Sequence, residues 1–267
     1  MNDATEQENN KIKGGVIIMG SLFWENEKNC VEGKESEGKA RREWRELNLE
    51  IKTQSIRVPT RYGRFSGKKN RKETYTMVLS REYLERLGTA LVVPFKELFL
   101  LTEVVEKEKI TSQLIELSKV EAIYESPNNL LAKDWSAISI WINPNRIYYE
   151  EIKTYWQVDI ISNPNNGYAS KNYEWSDGSL LDNNFQLQLP INSDLDFLLC
   201  TYMLPRYEEG DRDSNRQQNL SKGYPTSEMI GNAIKKSGYS TYFCENRVSG
   251  IVTADDDEIF KHISKTY

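Results

Sequence analysis

Val16-Ile17-Ile18-Met19-Gly20-Ser21-Leu22, preceded by Gly14-Gly15, is the stretch on which the fold turns. Its leading residues are β-branched and the apolar run breaks at a Gly-Ser step, so it reads as a buried strand, residues 14–19, that delivers a tight loop. Such a loop exposes backbone N–H groups able to hold a carboxylate or an oxyanion. Gly20, with no Cβ, lets the backbone approach a ligand closely. A strand ending in Gly-Ser also occurs where the turn does nothing but turn.

Further strands are predicted at 74–79 (Thr-Tyr-Thr-Met-Val-Leu), 88–95 and 138–142, with an extended segment from Ile56 to Tyr62 around Pro59. One helix is predicted from near Lys39, with Trp44 and Leu47 offering apolar contacts one turn apart, and another from Thr111 to Tyr124. Phe185-Gln186-Leu187-Gln188-Leu189 alternates and reads as a strand ended by Pro190, and Tyr242-Phe243-Cys244 as a short strand. Glu228–Lys236 reads as a helix, with Thr226 or Ser227 as its N-cap and Gly238 just past its end; another runs from about Asp256 to Ser264. The charged stretch from Pro205 to Gly223 is predicted to be a loop that could serve as a lid. These elements predict an α+β class: a compact mixed β-sheet or small β-barrel core with flanking helices, plus a C-terminal α+β extension. The expected division is a disordered tail 1–12, a core 13–160 and an accessory region 161–267 of unassigned role.

Apolar residues make up 38% and charged residues 28% of the 267, the balance of a soluble globular chain, with no apolar run long enough to span a bilayer. The acidic, amide-rich start resembles neither a secretory signal nor a transit peptide, which makes the cytoplasm the expected location. Cys30, Cys200 and Cys244 are far apart and odd in number, and read as reduced thiols. A single histidine, His262, argues against Ser-His-Asp and Cys-His triads and against histidine-based zinc sites. It reads as a solvated side chain. Any proton chemistry then belongs to a carboxylate.

Glu121 is the carboxylate that stands out. On a wheel of about 100° per residue, Ile110, Leu114, Leu117 and Tyr124 fall on one side, and Glu121 falls among them. A carboxylate on an apolar stripe is partnered, lines a cavity, or sits at the stripe's edge and reaches water. Desolvation in a pocket would raise its pKa toward the range of a general base. An edge residue paired with a neighbouring Lys or Arg is the plainer alternative.

The order of Met19-Gly20-Ser21-Leu22, the strand from Gly88 to Phe95 and then Leu117-Ser118-Lys119-Val120-Glu121-Ala122-Ile123 resembles the gamma-glutamylcyclotransferase-like family, over roughly residues 14–160. In that family the first strand ends in a Tyr-Gly-Ser-Asn or Tyr-Gly-Ser-Leu loop that binds the γ-glutamyl group, and a later helix carries the acid-base glutamate. The resemblance implies a binding loop at Gly20, Ser21 and Leu22, with Met19 in place of the usual tyrosine, and a catalytic role for Glu121. Ala122 stands where the family often has glycine. The reaction implied needs no cofactor: the substrate's α-amine closes on its own γ-carbonyl, giving 5-oxoproline and a free amine.

Arg61, Arg64, Lys68, Lys69, Arg71 and Lys72 form a basic segment on a chain of net charge −5, interleaved with Tyr62 and Phe65. Its arginines, Arg61 and Arg64 among them, suit bidentate capture of a substrate carboxylate. A non-catalytic protein holding an anionic ligand or nucleic acid on this loop is the alternative, and a solvated loop with Gly63 and Gly67 as turn residues is the plain one. One short basic loop on an acidic protein is thin evidence for nucleic acid. The expected partner is a small molecule with a γ-glutamyl or other anionic group, with no membrane; the oligomeric state is open. Asp194, Asp196, Asp211 and Asp213 lack calcium-loop spacing and read as solvated or capping residues.

Overall fold

In the computed structural model, which describes residues 11–66, 74–101, 103–168, 180–207 and 223–264, the opening run is a central strand. β1 (Ile12–Ile18) pairs antiparallel with β5 (Gly88–Phe99) and parallel with β8 (Phe197–Met203). With a strand on each side and layers on both faces, it buries successive residues rather than alternate ones, which is why it reads as a continuous apolar run.

Adding β2 (Gln54–Val58), β6 (Ala132–Lys133) and β7 (Ser136–Ile142) gives an open six-stranded mixed sheet of order β2-β5-β1-β8-β7-β6. The fold is thus α+β with a mixed sheet, and of the two expected cores it is the sheet and not a closed barrel among the described residues. Pro59 separates β2 from β3 (Thr60–Ser66), which leaves the sheet and pairs with β4 (Thr74–Leu79) as a separate ribbon. Gly63 lies within β3 at a break in register, not in a turn.

Among the described residues six helices flank the sheets: α1 (Glu35–Asn48), α2 (Val104–Val120), α3 (Tyr149–Tyr155), α4 (Ser227–Ser237), α5 (Thr241–Val248) and α6 (Asp256–Ser264). α4 begins at Thr226, whose hydroxyl accepts the Met229 N–H, and ends at Gly238 with φ +65°, as its sequence predicts.

Several expectations change. On α1, Trp44 is buried but Leu47 is 75% exposed, because the inward face is completed by Arg41 and Arg45 rather than by apolar residues. α2 begins at Val104 and stops at Val120, so Tyr124 lies beyond it and Ile123 takes the buried position. Residues 242–244 are helical in α5: Tyr242, Phe243 and Asn246 are buried at one-turn spacing. Residues 185–189 form only isolated bridges, with Phe185 at φ +56° breaking the extended path. Asp196 is buried, accepting the Lys13 N–H at 2.7 Å and pairing with Arg146 at 2.7 Å, so it fastens the sheet. His262 is partly covered, its side chain 22% exposed against Gly231 of α4. The expected division at 160/161 also changes, since β8 comes from the C-terminal part yet lies between β1 and β7. The expected tail 1–12 is too long, because Ile12 is buried as the first residue of β1; residues 1–10, Gly67, Lys68, Lys69, Arg71, Lys72, Asp211, Asp213 and most of the expected lid lie outside the described residues.

Candidate functional site

The end of α2 is a Schellman turn. Ile123 N–H donates to Ser118 O at 2.7 Å and Ala122 N–H to Lys119 O at 3.0 Å, with Ala122 in the left-handed region at φ +56°. Glu121 is the C-cap of this turn, so its Cα is held by the helix on one side and by the buried Ile123 on the other. An alanine occupies the position that usually favours glycine, because a Cβ there crowds the backbone.

Beyond β1 the chain makes one helical turn, with Phe23 N–H donating to Gly20 O at 3.1 Å and Glu25 N–H to Ser21 O at 2.8 Å. As at any helical start, the leading amides are left over: those of Ser21 and Leu22 donate to no described group.

The loop and Glu121 meet at a cavity of about 460 Å³. Met19, Gly20, Ser21, Leu22, Glu121 and Arg64 all line it. Two segments a hundred residues apart in sequence are therefore walls of one pocket, of a size suited to a small organic ligand. Arg64 comes from β3, its guanidinium 4.7 Å from the Trp135 ring and donating to Leu204 O at 3.0 Å. Arg61 does not line the cavity. It stands roughly 10 Å back along the strand, stacked between Tyr83 at 4.2 Å and Tyr224 at 4.1 Å, and paired with Glu82 at 3.2 Å. Two residues of strand separate an arginine in the pocket from one used as a clamp.

α1 ties the walls together. Arg41 pairs with Glu25, donates to Ser21 Oγ at 2.7 Å and to Val120 O at 3.0 Å, and lies 3.7 Å from Glu121 Oε1. Arg45 donates to Leu22 O at 2.6 Å, and burial, with Arg41 nearby, brings its pKa down to about 10. One helix face thus holds both the loop and the base of Glu121. The glutamate itself is less well satisfied: Oε1 is buried and accepts no hydrogen bond. Burial raises its pKa above the ordinary 4.5, against the opposing pull of Arg41 and Arg45. Its pair with Arg41 is thus long and without a hydrogen bond, and burial favours the protonated form against that pull.

Sequence reasoning missed Arg41, Glu25 and Tyr242, which also line the cavity. A signal for Arg41 existed in its spacing from Arg45, one turn apart on the helix that buries Trp44. Tyr242 was hidden because its segment was read as a strand. Among the described residues no group of three or more His, Cys, Asp and Glu side chains is placed to hold a metal ion. No helix there is long and apolar enough to cross a membrane. Comparison with protein-family models, curated proteins and solved structures finds no match to this chain.

Proposed function

We propose that the chain is a cyclotransferase-type enzyme that cleaves a γ-glutamyl amide. The observation that carries the reading is the meeting of the Gly20-Ser21-Leu22 loop with an incompletely satisfied, buried Glu121 across one cavity.

In this reaction Glu121 takes a proton from the substrate's α-amine, and the amine nitrogen attacks the γ-carbonyl carbon. The new C–N bond closes a five-membered ring. As the tetrahedral centre collapses, the bond to the departing nitrogen breaks and that nitrogen receives the proton held by Glu121. The products are 5-oxoproline and a free amine, and Glu121 is returned to its starting state. A raised pKa serves both halves, because the same group must accept a proton and then release it. The amides of Ser21 and Leu22 are donors for the developing oxyanion. Arg64 and Arg206, paired through the backbone bridge between residues 64 and 206, supply cations on the β3 wall suited to the α-carboxylate. Because ring closure is intramolecular, holding the substrate folded is itself a large part of the catalysis.

The test is incubation of the purified protein with a panel of γ-glutamyl amines and peptides, with 5-oxoproline followed by mass spectrometry beside Glu121→Gln. The expected result is product from at least one substrate and its loss in the variant. Absence of product across the panel, or undiminished product from the variant, would overturn the reading.

A further inference from the structure

Tyr242 enters the pocket from α5, more than two hundred residues along the chain from the loop it covers. Its ring is fixed edge-on to Trp24, centroids 6.0 Å apart, and to Tyr62 at 6.3 Å. Only 7% of the residue is exposed. Trp24 is in turn tied to the same helix by its indole N–H, which donates to Asn246 Oδ1 at 2.7 Å. The phenol therefore has little freedom to swing away.

Its oxygen is placed with equal closeness. A Cβ on residue 20 would come within 2.5 Å of Tyr242 Oη, so the absence of a side chain at Gly20 is what admits the hydroxyl to the loop. The Met77 N–H donates to that oxygen at 3.3 Å. The Asn246 side chain also hydrogen-bonds this hydroxyl, and like the Met77 N–H it favours the oxygen as an acceptor, so that among the described residues the phenolic hydrogen is left to point elsewhere. Burial pushes the phenol up to about 12, and the charges of Glu121 and Arg41 both reach it. It is therefore a neutral O–H donor at physiological pH, in a pocket where an unmet donor is costly.

We propose that Tyr242 is a substrate-binding residue of this pocket, donating a hydrogen bond to the substrate's γ-carbonyl oxygen beside the Ser21 and Leu22 amides. The inference rests on the cyclotransferase reading and adds to it a third oxyanion donor, supplied by the C-terminal part of the chain. The carbonyl is the group it suits. The α-amine needs the acceptor Glu121, and the α-carboxylate is better met by guanidinium, which leaves the carbonyl oxygen for a neutral donor. A donor aimed where negative charge develops acts mainly on kcat.

The experiment compares steady-state kinetics of the parent and Tyr242→Phe on a γ-glutamyl amide that the parent turns over, with thermal unfolding of both. Tyr242→Phe is expected to lower kcat on the order of 10²-fold with KM within about threefold. An unchanged kcat would overturn the role of Tyr242 and leave the cyclotransferase reading standing. A parent without activity on any γ-glutamyl amide would overturn both. Because phenylalanine leaves the Met77 N–H without its acceptor, 3,5-difluorotyrosine at position 242 provides a second test that keeps ring and acceptor. The more acidic phenol is expected to move the alkaline limb of kcat to lower pH; an unmoved limb with parent-like rates would overturn the proposal.

Discussion

Two adjacent residues, Glu121 and Ala122, carry opposite kinds of local cost. Ala122 holds a left-handed backbone that glycine adopts without penalty. Ala122→Gly is expected to raise stability by about 1 kcal/mol, the left-handed relief exceeding the added freedom of the unfolded chain. Denaturant titration reads this as a higher midpoint at unchanged slope. At Glu121 the cost is electrostatic. Its carboxyl binds a proton more tightly in the folded chain than at its ordinary value of 4.5, because burial disfavours the charge. Between 4.5 and the raised value the folded state holds more protons than the unfolded, so stability from this group is full at low pH and falls as pH rises through that window. Glu121→Gln removes the loss. The variant is expected to melt above the parent at pH 7, with the difference closing below pH 4.5, while activity falls by about 10²-fold or more. Calorimetric melting points at pH 4 and pH 7 check the first expectation and product formation the second. The two outcomes together, a firmer fold and lost turnover, are what the cyclotransferase reading expects of this residue.

α1 is the element that converts two distant segments into one site. Its inward arginines replace the apolar stripe that a helix at this place would ordinarily present, and Arg41 joins Glu25, Ser21, Val120 and Glu121 in one cluster. Arg41→Ala leaves two largely buried carboxylates without their cation, since the Glu25 and Glu121 side chains are only 9% and 14% exposed. The expected loss is about 3–5 kcal/mol at pH 7. Chemical denaturation at pH 7 and pH 4 checks it, the loss shrinking as the carboxylates become protonated. Arg41→Lys keeps charge but not the fork that serves a carboxylate, a hydroxyl and a carbonyl together, so it is expected to fold and to lose part of the activity. The helix itself was legible from Trp44, but the inward turn of Arg41 was not. A periodicity argument sorts apolar from polar residues, and it has no means of telling a solvated arginine from one turned toward a buried anion.

The sheet makes the whole molecule one unit around the pocket. β8 supplies both flanking partners with their hydrogen bonds, parallel to β1 and antiparallel to β7. A fragment ending at residue 160 would expose unpaired edges on two buried strands. It is expected to show no cooperative thermal transition by circular dichroism, whereas the full chain unfolds in one. The C-terminal part also delivers Tyr242 to the cavity and Tyr224 to the Arg61 clamp, so loss of these residues removes site as well as core.

Local chemistry in the sequence determined much on its own: the buried strand ending at the Gly-Ser step and the capped helix from Ser227 to Ser237, whereas Glu121, read on the apolar face of a helix, is the C-cap just past its end. These depend on neighbours within a few positions, where β-branching, capping side chains and turn residues act directly. Tertiary structure alone decided that Arg64 faces the cavity while Arg61 is stacked away from it, that Arg41 grips Glu121, and that a tyrosine more than two hundred residues from Gly20 lies over it. Each of these is a contact between segments far apart in the chain. Which distant group desolvates or pairs with a side chain is set by sheet order and helix placement, and no spacing in the sequence encodes it.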